Sequence, residues 1–151
     1  MGYCTQAGSA AGDIAPVKIS IDQLMQLTSE DGLSVVQSVV DAAIAEADSD
    51  IDSYAGRRYV VPFTTVPAKV KQLSVAITIY KLSEKRIGVF GGEIPKSTRD
   101  MYEDAIAFLK DVAKGNAVID GAVAPAANPS RTGGSFSAND RVFSKDSLDK
   151  L

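Results

Sequence analysis

The sequence predicts a mainly α-helical protein: a small bundle of three long helices plus a short N-terminal helix, with extended N- and C-terminal arms. Three segments carry apolar residues three or four positions apart, the spacing of one face of an α-helix. Glycine and proline stand at the ends of these segments, where helices stop or start. The flanking segments are rich in small and polar residues. We therefore divide the 151-residue chain into an arm at 1–18, a helical body at 19–115 and an arm at 116–151.

The body begins with a short helix over about residues 19–27. Ser20 is a suitable N-cap for it, because a serine hydroxyl can accept a hydrogen bond from the first helical turn. Leu24 and Leu27 are expected to face inward. The composition of residues 28–32 predicts a turn after this helix.

The first long helix is predicted over about residues 34–55, and Gly56 is the expected C-terminal stop. Its apolar residues recur at intervals of three or four, which places them on one stripe. The stripe consists of Val36, Val40, Ile44, Ala47, Ile51 and Tyr54.

The second long helix follows an irregular segment, 57–65, that looks extended and in which Pro62 excludes a central strand. Pro67 opens the helix, since proline suits the first helical turn, and we place it over about 68–86. Two apolar stripes predict that it is the buried centre of the domain. The stripes are Val70, Leu73, Ile77 and Tyr80, and Val75, Ile79 and Leu82.

The third long helix follows a glycine-containing loop predicted at 87–94 and runs to Lys114, where Gly115 stops it. Ser97 and Asp100 have the spacing of a capping box, with Asp in place of the usual Glu. Its predicted inner face consists of Tyr102, Ala105, Ile106, Leu109 and Val112.

Composition excludes several functional classes. The chain has no histidine, which removes Ser-His-Asp and Cys-His catalysis and histidine-ligated metals. Its single cysteine, Cys4, can form no intrachain disulfide, and we interpret it as incidental. The net charge of −3 argues against a nucleic-acid-binding protein. We expect a protein that is not an enzyme, needs no cofactor or metal, has neither signal peptide nor membrane span, and is made in the cytoplasm.

Two motifs invite a ligand but do not fit one. Asp48, Asp50 and Asp52 alternate as in a calcium loop, but the sixth position is serine and the twelfth is Tyr59, where glycine and glutamate are needed. The glycines after Gly88 lack the Lys-Ser/Thr of a phosphate loop. A solvated helix face and a flexible connection are the interpretations we adopt.

Arg57, Arg58 and Tyr59 are candidates for a subunit interface. One interpretation is a charge pair that compensates the acidic helix end at Asp50 and Asp52. The other is an intersubunit contact, in which an arginine binds a carboxylate of a neighbour. DNA contact is the weaker option because the chain is acidic.

The last 36 residues contain too few apolar side chains to offset the entropy of ordering themselves. Fully extended, they could reach ~120 Å, at about 3.3 Å per residue. We interpret this arm as a docking segment that binds a partner by strand addition or by insertion into a groove. The candidate partner-binding residues are Phe136, Arg141, Phe143, Leu148 and Leu151.

Four blocks together resemble the phage Mu-like head–tail adaptor family, also called connector or head-completion proteins. They are the N-terminal Tyr-Cys-Thr-Gln at 3–6, the run from Asp50 to Phe63, the Val-Pro at 66–67 with the helix up to Leu82, and the helix from Met101 to Gly115. Each block is a weak motif alone, but their order and spacing make the match specific.

The resemblance implies a small helical fold that forms a ring, usually of twelve copies, beneath the portal protein at the capsid vertex. It implies a structural role in the virion neck, joining capsid to tail. Its partners would be copies of itself, the portal protein and the next neck or tail-terminator protein, and DNA would pass through the ring without specific binding. No catalytic role is implied.

Two alternatives remain open. A tail-completion or other neck protein would have the same fold in a different layer. A metal-dependent nuclease using the aspartate-rich helix is a different class, and it requires carboxylates that converge on an open metal position. A DNA-binding regulator would need a basic recognition helix, and the sequence contains none.

Overall fold

A computed structural model describes residues 2–4, 14, 19–29, 31 and 33–123, and within them the chain forms four α-helices. They are α1 (Ile21–Thr28), α2 (Gln37–Ala55), α3 (Ala68–Phe90) and α4 (Lys96–Lys114). The predicted mainly α fold, with three long helices and a short N-terminal one, is confirmed. None of the helices in the described part of the chain is long and apolar enough to cross a bilayer.

α3 lies at the centre of the bundle and packs against the other three helices. Every residue from Leu73 to Ile79 is buried, so this stretch is covered on all sides. The prediction from its two apolar stripes is therefore confirmed. Such a helix gains its stability from tertiary packing, since burial of each large aliphatic side chain contributes about 1.5–3 kcal/mol.

The core forms two clusters along α3. One joins the end of α2, the start of α3 and the end of α4, around Ile51, Ile77 and Leu109. The other joins the start of α2, the second half of α3 and α1, around Val40, Leu82 and Leu24. The clusters also include buried residues from outside the predicted helical body, namely Tyr3, Cys4, Ile14 and Ile119.

α1 begins as the sequence predicts. The Ser20 hydroxyl accepts a hydrogen bond from the Gln23 N–H at 3.1 Å, and the Gln23 side chain accepts one from the Ser20 N–H at 3.1 Å. This reciprocal capping box satisfies two donors that the helix leaves without internal partners. Leu24 is buried and Leu27 half-buried, so both face inward as expected.

α2 starts three residues later than predicted, at Gln37. Val36 is the N-cap, and the backbone N–H of Val36 donates to the Thr28 hydroxyl at 3.2 Å. This bond ties the start of α2 to the end of α1. Val36 is 36% exposed and does not join the inward stripe, contrary to the prediction.

α3 ends four residues later than predicted, at Phe90. The predicted loop at 87–94 is therefore wrong for its first four residues, and Gly88 lies inside the helix. The Arg86 guanidinium lies 3.9 Å from the centre of the Phe90 ring and stabilises this last turn. Gly91, at φ 74°, ends the helix.

α4 begins at Lys96, with Pro95 as N-cap, so the predicted capping box at Ser97 and Asp100 is wrong. The Pro95 carbonyl already accepts hydrogen bonds from the Thr98 and Arg99 N–H groups, at 3.0 and 3.1 Å. The helix has thus begun before Ser97 could cap it.

Candidate functional site

The predicted interface residues Arg57, Arg58 and Tyr59 lie in the turn after α2, but they do not share one role. Tyr59 is buried, and its hydroxyl accepts a hydrogen bond from the Ile119 N–H at 2.9 Å. The Arg58 side chain packs over Gly115 at the end of α4, where a β-carbon would collide with the guanidinium. Tyr59 and Arg58 therefore fasten this turn to the segment after α4, and Arg57 remains exposed.

The acidic end of α2 is not compensated by these arginines. Asp50 forms an ion pair with Lys81, at 3.4 Å, and Asp52 accepts a hydrogen bond from the Tyr3 hydroxyl. Burial lowers the pKa of Lys81, but attraction to Asp50 and the hydrogen bond with it raise that pKa, and the net shift is upward. Among the described residues neither arginine forms an ion pair. The charge-compensation interpretation is wrong, and the intersubunit interpretation stays a prediction.

Exposed valines occur in the two segments that this turn joins, the loop after α2 and the segment after α4. Val60 is 51% exposed, Val118 74% and Val123 66%. The Val60 N–H donates to the Val123 carbonyl at 3.0 Å, which holds the segment after α4 against the loop 59–65. A shallow cavity of about 330 Å³ opens beside them, lined by Pro62 and Phe63 among others. We call this end of the molecule the arginine pole: Arg57, Arg58, Val60, Val118 and Val123.

The groove between α2 and α3 is filled by residues 2–4, which we call the N-terminal clasp. The Tyr3 N–H donates to the Asp48 carboxylate at 3.1 Å. The Tyr3 hydroxyl donates to Asp52 and accepts a hydrogen bond from the Phe63 N–H at 3.1 Å. The Tyr3 side chain is 3% exposed, and its ring packs against Phe63 at 5.5 Å between centres. One aromatic residue thus joins α2 to the loop that follows it.

Ionisation in the clasp is opposed by burial. Burial raises the pKa of Tyr3, and the hydrogen bond to Asp52 raises it further. Burial also raises the pKa of Asp48, although hydrogen bonds from the Tyr3 N–H and the Ser74 hydroxyl lower it in part. Asp48 and Asp52 therefore hold the clasp and do not face outward, contrary to what the spacing of the acidic helix predicts.

Cys4 is buried at 2% exposure beside α3. The Ser74 hydroxyl lies 3.2 Å from the Cys4 sulfur and 3.1 Å from the Asp48 carboxylate, and the Thr78 hydroxyl lies 3.8 Å from the sulfur. The interpretation of Cys4 as an incidental residue of a terminal arm is wrong.

The opposite side of α3 carries an open groove, which sequence reasoning missed. α1 and the start of α4 form its walls, and α3 forms its floor. Its upper part holds about 320 Å³ and its lower part, between α3 and α4, about 230 Å³. We call it the lateral groove; its apolar lining includes Ile19, Leu27, Ala76, Ile79, Ile87, Pro95 and Met101.

The remaining sequence-based interpretations concern ligand sites in the body and the partner-binding residues of the C-terminal arm. No group of three or more acidic or cysteine side chains that could hold a metal ion occurs among the described residues. Gly88 lies in a helix, which is incompatible with a phosphate loop. The predicted partner-binding residues of the C-terminal arm lie outside the described residues: Phe136, Arg141, Phe143, Leu148 and Leu151.

Comparison with known proteins identifies relatives. The sequence profile of the family described as "Bacteriophage Mu, Gp36" matches residues 10–138. The Mu-like prophage FluMu protein gp36 of Haemophilus influenzae is 38% identical over 82 residues, which make up 54% of this chain and 53% of that protein. The chain thus spans about half the length of the curated relative that it matches. The profile includes Arg57, Arg58, Tyr59 and Phe136, and ends before Arg141.

Proposed function

The chain belongs to the bacteriophage Mu Gp36 family, and on that premise we propose that it is a structural head–tail connector, or adaptor, of a tailed phage. Copies of the helical body pack side by side in a ring of about twelve below the portal protein. The ring joins the capsid to the next neck or tail-terminator protein, and DNA passes through it. The protein acts in the virion neck without catalysis.

The arginine pole is the observation that carries this proposal. Arg57 is exposed and forms no ion pair within the part of the chain that is described, and exposed valines occur in the segments joined at this turn. An apolar patch with an arginine is typical of protein interfaces, where the planar guanidinium binds a carboxylate through two hydrogen bonds. Tyr59 and Arg58 fix the turn that presents Arg57, so its position is set before a neighbour binds.

The net charge of −3 suits a channel for DNA. Sticking to DNA depends on lysines and arginines that neutralise phosphates, and an acidic chain provides little of this. DNA can therefore slide through such a ring without specific binding.

The C-terminal arm adds attachment to a neighbouring subunit or to the portal. Many weak arm contacts linked in one ring give a high overall avidity. We expect deletion of residues 136–151 to leave the body folded and to abolish attachment. Normal attachment of the truncated protein would refute this part of the proposal.

The nuclease alternative is weakened by the way in which the carboxylates of α2 are used. Asp48 and Asp52 bind the N-terminal clasp, and Asp50 binds Lys81, so the three do not converge on one open position. The alternative neck role, in tail completion, uses the same fold and differs in the layer that the ring occupies.

The ring proposal is tested with Arg57→Glu and a matched control, Lys110→Glu, an exposed residue of α4. In mass photometry we expect the wild type and the control to form a particle of about 190 kDa, twelve copies of the 15.9 kDa chain. We expect Arg57→Glu to remain smaller with an unchanged circular dichroism spectrum. Rings of normal size from Arg57→Glu would remove Arg57 from the interface.

The neck location is tested in the phage itself. Inactivation of the gene should yield filled or leaking heads and separate tails in electron micrographs, and the wild-type gene should restore joined particles. Joined particles in the absence of the protein would refute the connector role.

A further inference from the structure

We propose that the lateral groove is the docking site for residues 141–151 of a neighbouring copy of this chain. The inference rests on the proposed function, in which the arm links one molecule to the next, and it names the surface that receives the arm. It starts from a difference between the two sides of α3. The α2 side is filled by the clasp, whereas the lateral groove has no occupant among the described residues.

The shape and chemistry of the groove suit a short peptide with two apolar anchors. Its upper part has apolar walls from Ile19 and Ile87 and a polar rim that includes Gln23 and Thr98. Its lower part continues past Met101 to Ala105. Peptide grooves commonly combine such apolar pockets with rim groups that can hydrogen-bond to the peptide.

The spacing of the two parts matches the arm. Their midpoints lie about ten residues apart along α3, which is ~15 Å at the helical rise of 1.5 Å per residue. Phe143 and Leu148 are five residues apart, which is ~17 Å in an extended chain. Phe143 can therefore occupy one part while Leu148 occupies the other.

The arm is long enough to reach another molecule. The described chain ends at Val123, held by Val60 at the arginine pole, and the twenty residues 124–143 lead from there to Phe143. Those residues span up to ~66 Å. α3, the longest helix of the body, measures only ~34 Å at 1.5 Å per residue.

Donor and acceptor surfaces lie at different places on the molecule, since the arm leaves from the arginine pole and the groove lies along the side. Such a contact is heterologous, and repeated with closure it generates a ring in which every arm and every groove is used. The same contact would bury Ile87, Met101 and the apolar anchors of the arm together.

The test is cross-linking between full-length chains that each carry one new cysteine. Thr98→Cys places a thiol on the groove rim, and Leu148→Cys places one on the arm. Ala107→Cys is the matched control: it is an exposed position on the same helix, nine residues on and thus about half a turn away at 100° per residue. Native Cys4 is buried and is present in every variant.

Co-expressed Thr98→Cys and Leu148→Cys chains, treated with a short bismaleimide, should give a cross-linked dimer on a denaturing gel, at least fivefold more than the Ala107→Cys pair. Three results would overturn the proposal: no excess over the Ala107→Cys pair, a chain carrying both Thr98→Cys and Leu148→Cys that links only to itself, or, with portal protein added, linkage of Leu148→Cys to the portal instead. If rings form and heads and tails join without the dimer, only the docking site is wrong. If the protein forms no rings, and heads and tails join in its absence, the proposed function itself fails.

Discussion

One side of α3 is covered by the N-terminal clasp, whereas the other side lines an open groove. On the α2 side, Tyr3 is 3% exposed and connects two aspartates and a backbone N–H. On the α4 side, Met101 lines an open groove and is 40% exposed. A helix that is apolar all round must be covered on both sides. Of the residues that the structure describes, the first ones cover one side, and part of the other side has no cover from them.

The comparison shows that the two terminal segments are not equivalent, although both are poor in large apolar residues. The N-terminal segment supplies a tyrosine and a cysteine that fit polar positions on α2 and α3. Their hydrogen bonds satisfy carboxylate, hydroxyl and backbone groups that would be costly to bury unpaired. The clasp is held by these few specific bonds together with the buried Tyr3 ring.

The largest loss of stability is expected from truncation of Tyr3, on the filled side of α3. We expect Tyr3→Ala to lower the free energy of unfolding by about 3–5 kcal/mol, because it removes a buried aromatic ring and its bonds. Met101→Ala, on the open side, should cost less than about 1 kcal/mol. Urea unfolding followed by circular dichroism measures both. Equal losses would mean that the two sides of α3 are equally packed.

Removal of the Tyr3 hydroxyl alone should lower the free energy of unfolding less than removal of the whole side chain. Tyr3→Phe leaves the Phe63 N–H and the Asp52 carboxylate without this partner, at a cost of about 1–3 kcal/mol. Labelling of Cys4 by a thiol reagent in native conditions should accelerate about tenfold, since 1.4 kcal/mol is a factor of ten. Tyr102→Phe, a half-buried tyrosine of α4, is the control and should leave the labelling rate unchanged. An unchanged rate in Tyr3→Phe would show that the hydroxyl does not hold the clasp.

Removal of the charge of Asp48 should change the free energy of unfolding least, and the size of this change should depend on pH. Because burial raises the pKa of Asp48, the folded protein binds this proton more tightly than the unfolded chain. Proton binding by Asp48 therefore contributes fully to the stability of the fold below its pKa in the unfolded chain, about 4. This contribution is lost as the pH rises through the pKa of Asp48 in the folded protein.

Asp48→Asn keeps an acceptor for the Tyr3 N–H and removes the charge. We expect it to be more stable than the wild type at pH 7, by less than about 1 kcal/mol because the carboxylate is only half-buried, and the advantage should shrink towards pH 4. Glu103→Gln, at an exposed site, is the control in the same pH series of unfolding curves. A variant that is less stable at pH 7 would show that hydrogen bonding to the carboxylate outweighs its burial.

The helices could be predicted because local patterns determine them. The capping box at Ser20, the two apolar stripes of α3 and the stop at Gly115 depend on residues a few positions apart. The errors lie where a contact from elsewhere decides. Val36, the N-cap of α2, binds Thr28 of the preceding helix, and α3 continues through Gly88 to Phe90, which Arg86 contacts, at a propensity cost of about 1 kcal/mol.

The candidate sites were harder to predict than the helices. The interface role of Arg57, Arg58 and Tyr59 stays a prediction, but the contacts that bury Tyr59 and pack Arg58 over Gly115 depend on Ile119 and Gly115, about sixty residues away. The lateral groove has no sequence signature, because it is the space that remains between three helices.

By itself, the sequence determined the class of fold, the centre of the bundle and the resemblance to a phage family, since apolar periodicity, helix stops and short motifs are all local along the chain. Only the tertiary structure decided that Tyr3 and Cys4 lie inside the body, that Asp48 and Asp52 bind the clasp, and that the described residues leave a groove along the other side of α3. The physical reason is distance along the chain. Bonds such as that from Tyr3 to Asp48 join residues 45 positions apart. The sequence around either residue does not indicate which residue it binds.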